Sequence, residues 1–301
     1  MKLHPIGKFD NGARRYDHIV VEPFAAAMGA EIKGVQIRDV DGPVFDEIAD
    51  ALYRHGMVFL RDQAMNLGDQ ERFTQRFGAF GTDAYTPGIP GHPNVQRLVK
   101  EADERLKHVF GGGWHSDTPF IERPPSISLL FGADIPPFGG DTIWASTKLA
   151  LATLTETMQN MLRPLKVHMS ARDVLDVVAR ATADRSKLGS IDLKMNEAAM
   201  VKGCFHPLVR KHPVTGAEAL FMDESYSIGI EGMTDREATP LLRFLSEHIT
   251  QHAFTCRLKW QKNTFAMWDN RLCLHQAFND HDGYRREMFR TTVQGEVPLS
   301  A

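Results

Sequence analysis

Three segments near the C-terminal end read as having period two: Phe254 to Trp260, where apolar and polar residues alternate, the apolar Phe265 to Trp268, and Met288 to Val293. Alternation puts one set of side chains on a buried face, so each segment is predicted to be a strand. Short strands separated by turn residues predict a barrel or jelly roll. The earlier chain reads differently. Ile19-Val20-Val21 and Ile32 to Val35 are short β-branched pieces around an alanine-rich turn. After a possible N-cap at Asp41, Val44, Ile48, Ala51 and Leu52 recur at helical spacing. Val58-Phe59-Leu60 and Ser126 to Phe131 read as buried strands, and Gln70 to Phe77 as a helix stopped by Gly78. Leu149 to Leu162 is helical in pattern. Thr234 and Glu237 form a capping box that opens an amphipathic helix to about His252.

Two stretches resist assignment. Tyr85 to Trp114 is rich in Pro, Gly and His and reads as a long irregular lid or binding loop. Ser170 to Met200 is polar and charged, and reads as a mobile segment or lid. No repeat or Pro/Gly/Ser linker divides the chain. The expectation is one domain over 1–301, of α+β class, with a β core and flanking helices.

Bulk composition narrows the function. Hydrophobic residues are 43% and charged residues 24% of 301, the balance of an ordinary globular protein. A formal charge of -3 offers no field for nucleic acid or an anionic membrane. Three separated cysteines form no disulfide framework and suit a reducing compartment. Met1 to Pro5 lacks the apolar run of a secretory signal, and no run is long enough to span a membrane. A cytoplasmic enzyme is expected.

The chemistry centres on His115-Ser116-Asp117 and His275. Residues i and i+2 of an extended segment face one side, so His115 and Asp117 can address one metal ion while Ser116 points away. Adjacent residues diverge, which disposes of a local Ser-His-Asp triad. Two imidazoles and a carboxylate suit non-haem Fe(II), but a His-x-Asp pair alone is close to a chance match among thirteen histidines. Context adds weight. Gly111-Gly112-Gly113 frees the backbone beside Trp114 and leaves room for a ligand, with no phosphate-loop lysine following. Arg286 and Arg290, four apart in an alternating segment, share a face; inward arginines require anions.

Several motifs in order resemble the taurine dioxygenase (TauD/TfdA) family. They are Trp114 to Thr118, Gly139-Gly140-Asp141-Thr142-Ile143-Trp144, His206 to Arg210, His212 to Gly216, and Trp268-Asp269-Asn270-Arg271 through His275 to Arg285-Arg286 and Arg290. The resemblance runs from about Ile19 to Val297. It implies a double-stranded β-helix (jelly-roll) core and an Fe(II)- and 2-oxoglutarate-dependent dioxygenase that uses O2. It makes His115, Asp117 and His275 the iron ligands. Thr142 and Arg286 become the 2-oxoglutarate contacts, and Arg290 the holder of a small anionic organic substrate. Tyr85, Asp83 and Gly111 would line the substrate pocket. Dimers or tetramers are common in the family. Phe110 to Gly113 replaces the asparagine-containing stretch of taurine enzymes, and Asp83-Ala84-Tyr85 replaces their histidine before tyrosine. Taurine is therefore not the expected substrate. Ile230 to Asp235 and Phe254 to Arg257 look more like the aryloxypropionate herbicide dioxygenases, with alkylsulfatase-type members a further match. A zinc hydrolase on the same ligands and a non-catalytic jelly-roll binding protein are the competing classes.

Overall fold

The computed structural model describes residues 9–105, 111–181 and 186–301. The expectations placed on Met1 to Pro5 and on Phe110 lie outside them.

All three alternating segments are strands: Thr255–Leu258, Thr264–Asp269 and Arg286–Val293. They belong to two facing sheets. The larger has eight strands, in the order Val20–Pro23, Ala30–Lys33, Met57–Leu60, Thr264–Asp269, Ile127–Asp134, Arg286–Val293, His92–Lys100 and Gly88–Ile89. Every neighbouring pair is antiparallel except Ala30–Lys33 with Met57–Leu60. The smaller sheet has Thr142–Ser146 between Thr255–Leu258 and Cys273–Ala277.

Period-two alternation decides what each face buries. On Thr264–Asp269, Ala266 and Trp268 point into the space between the sheets, where they meet Trp144, Cys256, Leu258 and Cys273 of the smaller sheet. The Trp144 and Trp268 rings lie 5.7 Å apart, edge to face. Phe265 and Met267 point the other way, against Ile48 and Leu52 of helix Gly42–His55 and Phe73 of helix Leu67–Phe77. Each such fully buried side chain contributes about 1.5–3 kcal/mol. Ala145 and Leu274, on the far face of the smaller sheet, are covered by Leu242, Leu245 and Ile249 of helix Asp235–Ile249.

Helix ends follow the capping chemistry. Asp41 accepts from the Val44 N–H at 3.2 Å, and Gly56 closes that helix with φ 72°. The Thr234–Glu237 box is formed, and the helix it opens ends at Ile249, before a 3-10 turn at His252–Phe254. Three expectations need correction. Leu149 to Leu162 is two helices, Thr147–Thr153 and Glu156–Leu162, because Thr155 caps the second. Tyr85 to Trp114 contains a nine-residue strand, His92–Lys100. Its Pro and flanking Gly mask a strand whose Val95 and Val99 are buried. Ser170 to Met200 is structured where described: helices Arg172–Ala181 and Glu197–Lys202 flank the paired strands Lys187–Leu188 and Ile191–Asp192.

The turn after Trp268 is fixed by buried charge. Asp269, fully buried, accepts from Arg271 Nε at 2.8 Å and Nη2 at 2.6 Å and bonds His212 Nε2 at 2.9 Å. Burial alone would raise its pKa; Arg271 and His212 outweigh that and hold the carboxyl well below the usual range. Asp269→Asn strands the Arg271 charge and is expected to lower unfolding stability by about 3–5 kcal/mol, readable in urea titrations.

Candidate active site

His275 lies opposite Trp144 on one side and meets His115 in an isolated antiparallel bridge on the other. His115 N–H donates to His275 O at 3.0 Å, and His275 N–H to His115 O at 2.8 Å. Directly paired residues keep their side chains together, and the imidazole centroids are 4.1 Å apart. Asp117, two residues on, puts Oδ1 4.0 Å from His275 Nε2. One donor atom from each of His115, Asp117 and His275 lies within 4.8 Å of the others. Their exposures of 7%, 4% and 6% exclude an ordinary solvated surface cluster.

Protonation suits a divalent cation. Burial lowers both histidine pKa values, so the rings are neutral at pH 7. His115 Nδ1 donates to Gly113 O at 2.8 Å, which leaves Nε2 with its lone pair. Burial pushes the Asp117 pKa up, but Arg290, the two imidazoles and Ser128 together bring it down to about 2. Space is reserved as well. Gly111 has φ +76°, and a Cβ there would stand 3.1 Å from His115 Cε1 and 3.6 Å from Nε2. Two neutral nitrogens and one carboxylate around a kept gap fit an Fe(II)-type ion.

A second layer orients Asp117. Ser128 Oγ donates to Asp117 Oδ2, and Asn270 Nδ2 donates to Ser128 Oγ at 2.8 Å. Asn270 is held in turn by Trp268 Nε1 at 3.0 Å. Ser116 does point away, its Oγ 3.3 Å from Asn270 O. Sequence reasoning assigned no role to Ser128 or Asn270, although Trp268-Asp269-Asn270-Arg271 stood out as a motif. Ser128→Ala is expected to weaken metal binding roughly 10- to 100-fold, as loss of a group orienting a metal ligand does; competition against a fluorescent chelator reads this directly.

Between the sheets, next to His275, lies a cavity of about 80 Å³. Thr142 and Arg286 line it, with Lys100, His281, Leu130 and Trp268. The Thr142 hydroxyl accepts from Trp260 Nε1 at 2.9 Å, so its own proton is available to a ligand. Arg286 donates through Nε to Gly140 O at 3.1 Å. Gly140, at φ +66°, has no Cβ to collide with Arg286 Cδ. Burial lowers the Arg286 pKa to about 10, still cationic at pH 7.

A larger cavity of about 650 Å³, lined by His115 and Asp117, adjoins the smaller one and shares Gly111 and Arg290 with it. Tyr85, Gly111 and Arg290 line it. Helix Arg172–Ala181 adds Val174, Val177 and Val178, one apolar stripe at i, i+3 and i+4, joined by Leu188 and Leu193. The Tyr85 hydroxyl meets that of Tyr226 at 3.0 Å. Arg290 donates through Nη1 to Asp117 Oδ1 at 2.8 Å and through Nη2 to Asp83 Oδ2. Asp83 therefore reaches the site through Arg290 and is not itself among the residues lining this cavity. Its Oδ1 accepts the backbone N–H groups of Tyr85 and Thr86, a link invisible to sequence spacing.

Comparison with known proteins gives a consistent picture. The model of the Taurine catabolism dioxygenase TauD, TfdA family matches residues 21–292. An alpha-ketoglutarate-dependent sulfate ester dioxygenase of Pseudomonas putida is 31% identical over 93% of this chain and 90% of its own length. An alpha-ketoglutarate-dependent 2,4-dichlorophenoxyacetate dioxygenase of Cupriavidus pinatubonensis is 27% identical over 91% and 97%. A solved taurine dioxygenase from Burkholderia xenovorans superposes with a TM-score of 0.77 at 31% identity, covering 94% of this chain and 93% of the other. By its sequence and its site, the chain belongs to the TauD/TfdA dioxygenase family.

Proposed function

We propose that this protein is an Fe(II)- and 2-oxoglutarate-dependent dioxygenase, built as one domain over residues 1–301. We assign the two facing sheets to a double-stranded β-helix, or jelly roll. His115, Asp117 and His275 hold the metal on one face. Bound there, Fe(II) with 2-oxoglutarate and O2 supplies the oxidising power to hydroxylate a C–H bond, with succinate and CO2 as co-products. The chain contributes binding, orientation and exclusion of water. Thr142 donates to a 2-oxoglutarate carboxylate, and Arg286 pairs with a carboxylate in the 80 Å³ cavity.

The observation that carries this reading is the joint placement of His275, Thr142 and Arg286 around one cavity between the sheets. A zinc hydrolase would leave Thr142 and Arg286 without a shared task, and a storage scaffold would leave the buried metal triad without one.

The primary substrate is a small organic anion whose oxidised carbon adjoins a heteroatom: a sulfonate, a sulfate ester or an aryloxyalkanoate. The relatives named above act on substrates of these kinds. Arg290 is the cation in the 650 Å³ cavity, and the valine stripe suits an apolar body larger than taurine. Hydroxylation beside the heteroatom gives a product that breaks to a carbonyl compound plus sulfite, sulfate or a phenol. Among the described residues no helix is long and apolar enough to cross a membrane; a cytoplasmic homodimer or tetramer is the working expectation. The test is a panel of alkyl sulfates, alkanesulfonates and aryloxyalkanoates, read as substrate-stimulated succinate formation. Stimulation by a member with an apolar tail supports the reading. Stimulation by taurine alone contradicts the expected apolar body of the substrate.

A further inference from the structure

Lys100 and Arg286 are direct cross-strand partners at the ends of His92–Lys100 and Arg286–Val293. Both line the 80 Å³ cavity. Like charges directly opposite on paired strands repel, and here Lys100 is buried and Arg286 half-buried, which weakens screening by water. Lys100 is 7% exposed; its Nζ donates to Asn279 Oδ1 at 2.7 Å and Asp282 Oδ1 at 2.6 Å. An ammonium group has three N–H donors, so one remains. Arg286 bonds only a backbone carbonyl among the described residues.

His281 lines the same cavity. It is 3% exposed, and neither ring nitrogen has a hydrogen-bond partner among the described residues. Buried polar side chains are normally satisfied. An imidazole with two unused nitrogens, beside two cations and a cavity, is a binding group awaiting its ligand. Burial, then Arg286 and Lys100, lower its pKa to about 4, so the ring is neutral and carries one N–H at pH 7.

We propose that His281 and Lys100 are cosubstrate-binding residues that join Arg286 around the far carboxylate of 2-oxoglutarate. This inference rests on the proposed dioxygenase site. A carboxylate there has acceptor sites for all three groups. It would separate the two cations electrostatically and satisfy the imidazole. The site thereby selects a dianionic 2-oxo acid over a monoanionic one.

The test measures binding without turnover. Protein loaded with Mn(II) is titrated with N-oxalylglycine, which has the far carboxylate, and with 2-oxobutyrate, which lacks it. His281→Phe is expected to weaken N-oxalylglycine binding roughly 10- to 100-fold, the loss of a hydrogen bond to a charged group. Binding of Mn(II) and of 2-oxobutyrate should hold at wild-type strength. His281→Gln, which keeps an N–H donor, should recover most of the affinity. Lys100→Gln should reproduce the selective loss, and it decides the matter if His281→Phe does not fold. Wild-type N-oxalylglycine affinity in both variants overturns the proposal. So does an equal loss for both ligands, which marks a structural role. Failure of the wild type to bind Mn(II) and N-oxalylglycine at all would overturn the dioxygenase reading itself.

Discussion

Replacing His115 with alanine is expected to abolish Fe(II)-dependent succinate formation and to cut metal affinity on the order of a thousandfold, well beyond the loss from an outer-layer change. The reason is geometric. His115 is locked by two backbone hydrogen bonds to His275 and by Nδ1 to Gly113 O, so its Nε2 has one orientation and no neighbour can replace it. Removing it leaves one imidazole and Asp117, whose Oδ1 already bonds Arg290. Metal content after dialysis and succinate yield should fall together, while the urea midpoint moves little because the backbone bridge survives. Retained metal with normal turnover would place the ion elsewhere.

Arg286→Ala is expected to raise the 2-oxoglutarate KM roughly 10- to 100-fold, the effect of deleting a hydrogen bond to a charged group. Arg286 is half-buried with only Gly140 O as a partner among the described residues, and it lines a small cavity. Among the described residues no carboxylate forms an ion pair with it; the nearby Asp141 and Asp280 engage Arg257 and act on it only at longer range. The KM for the primary substrate should change much less, because that substrate occupies the adjoining larger cavity around Tyr85, which Arg286 does not line. Arg286→Lys should recover part of the loss, keeping charge without the planar fork. An unchanged 2-oxoglutarate KM in the alanine variant would move the cosubstrate out of the 80 Å³ cavity.

Much of the architecture could be read from the chain because local rules and tertiary packing agree. Trp268 alternates with Phe265 and Met267, and the alternation sorts them between the two faces of one strand. The Thr234–Glu237 box opens its helix because the cap needs only residues three apart. His92–Lys100 was hidden because its turn-prone start and polar outer face mimic a loop, and its stability comes from pairing with Arg286–Val293.

The candidate site divides the same way. His115-x-Asp117 is visible in sequence, and family spacing adds His275, Thr142 and Arg286. Ser128 and Asn270 were not visible, since their link to Asp117 depends on the register that sets Ser128 opposite Trp268. Lys100 and His281 join Arg286 only through strand pairing and the loop after His275. Asp83 was legible as a pocket candidate, but its grip on Arg290 is a tertiary contact between a loop and a distant strand. The valine stripe lay inside a segment that appeared merely polar and charged, because three valines among acids and arginines declare a face only once the helix is formed.

The central claim is that the triad and the cavity beside it run one oxidative reaction. The most direct measurement takes metal-free protein, adds Fe(II), 2-oxoglutarate and an alkyl sulfate, and follows O2, 2-oxoglutarate and succinate together. The account predicts matched consumption of O2 and 2-oxoglutarate with matched formation of succinate, dependent on Fe(II) and absent with Zn(II). Sulfate release with Zn(II), without O2 uptake or succinate, would contradict it.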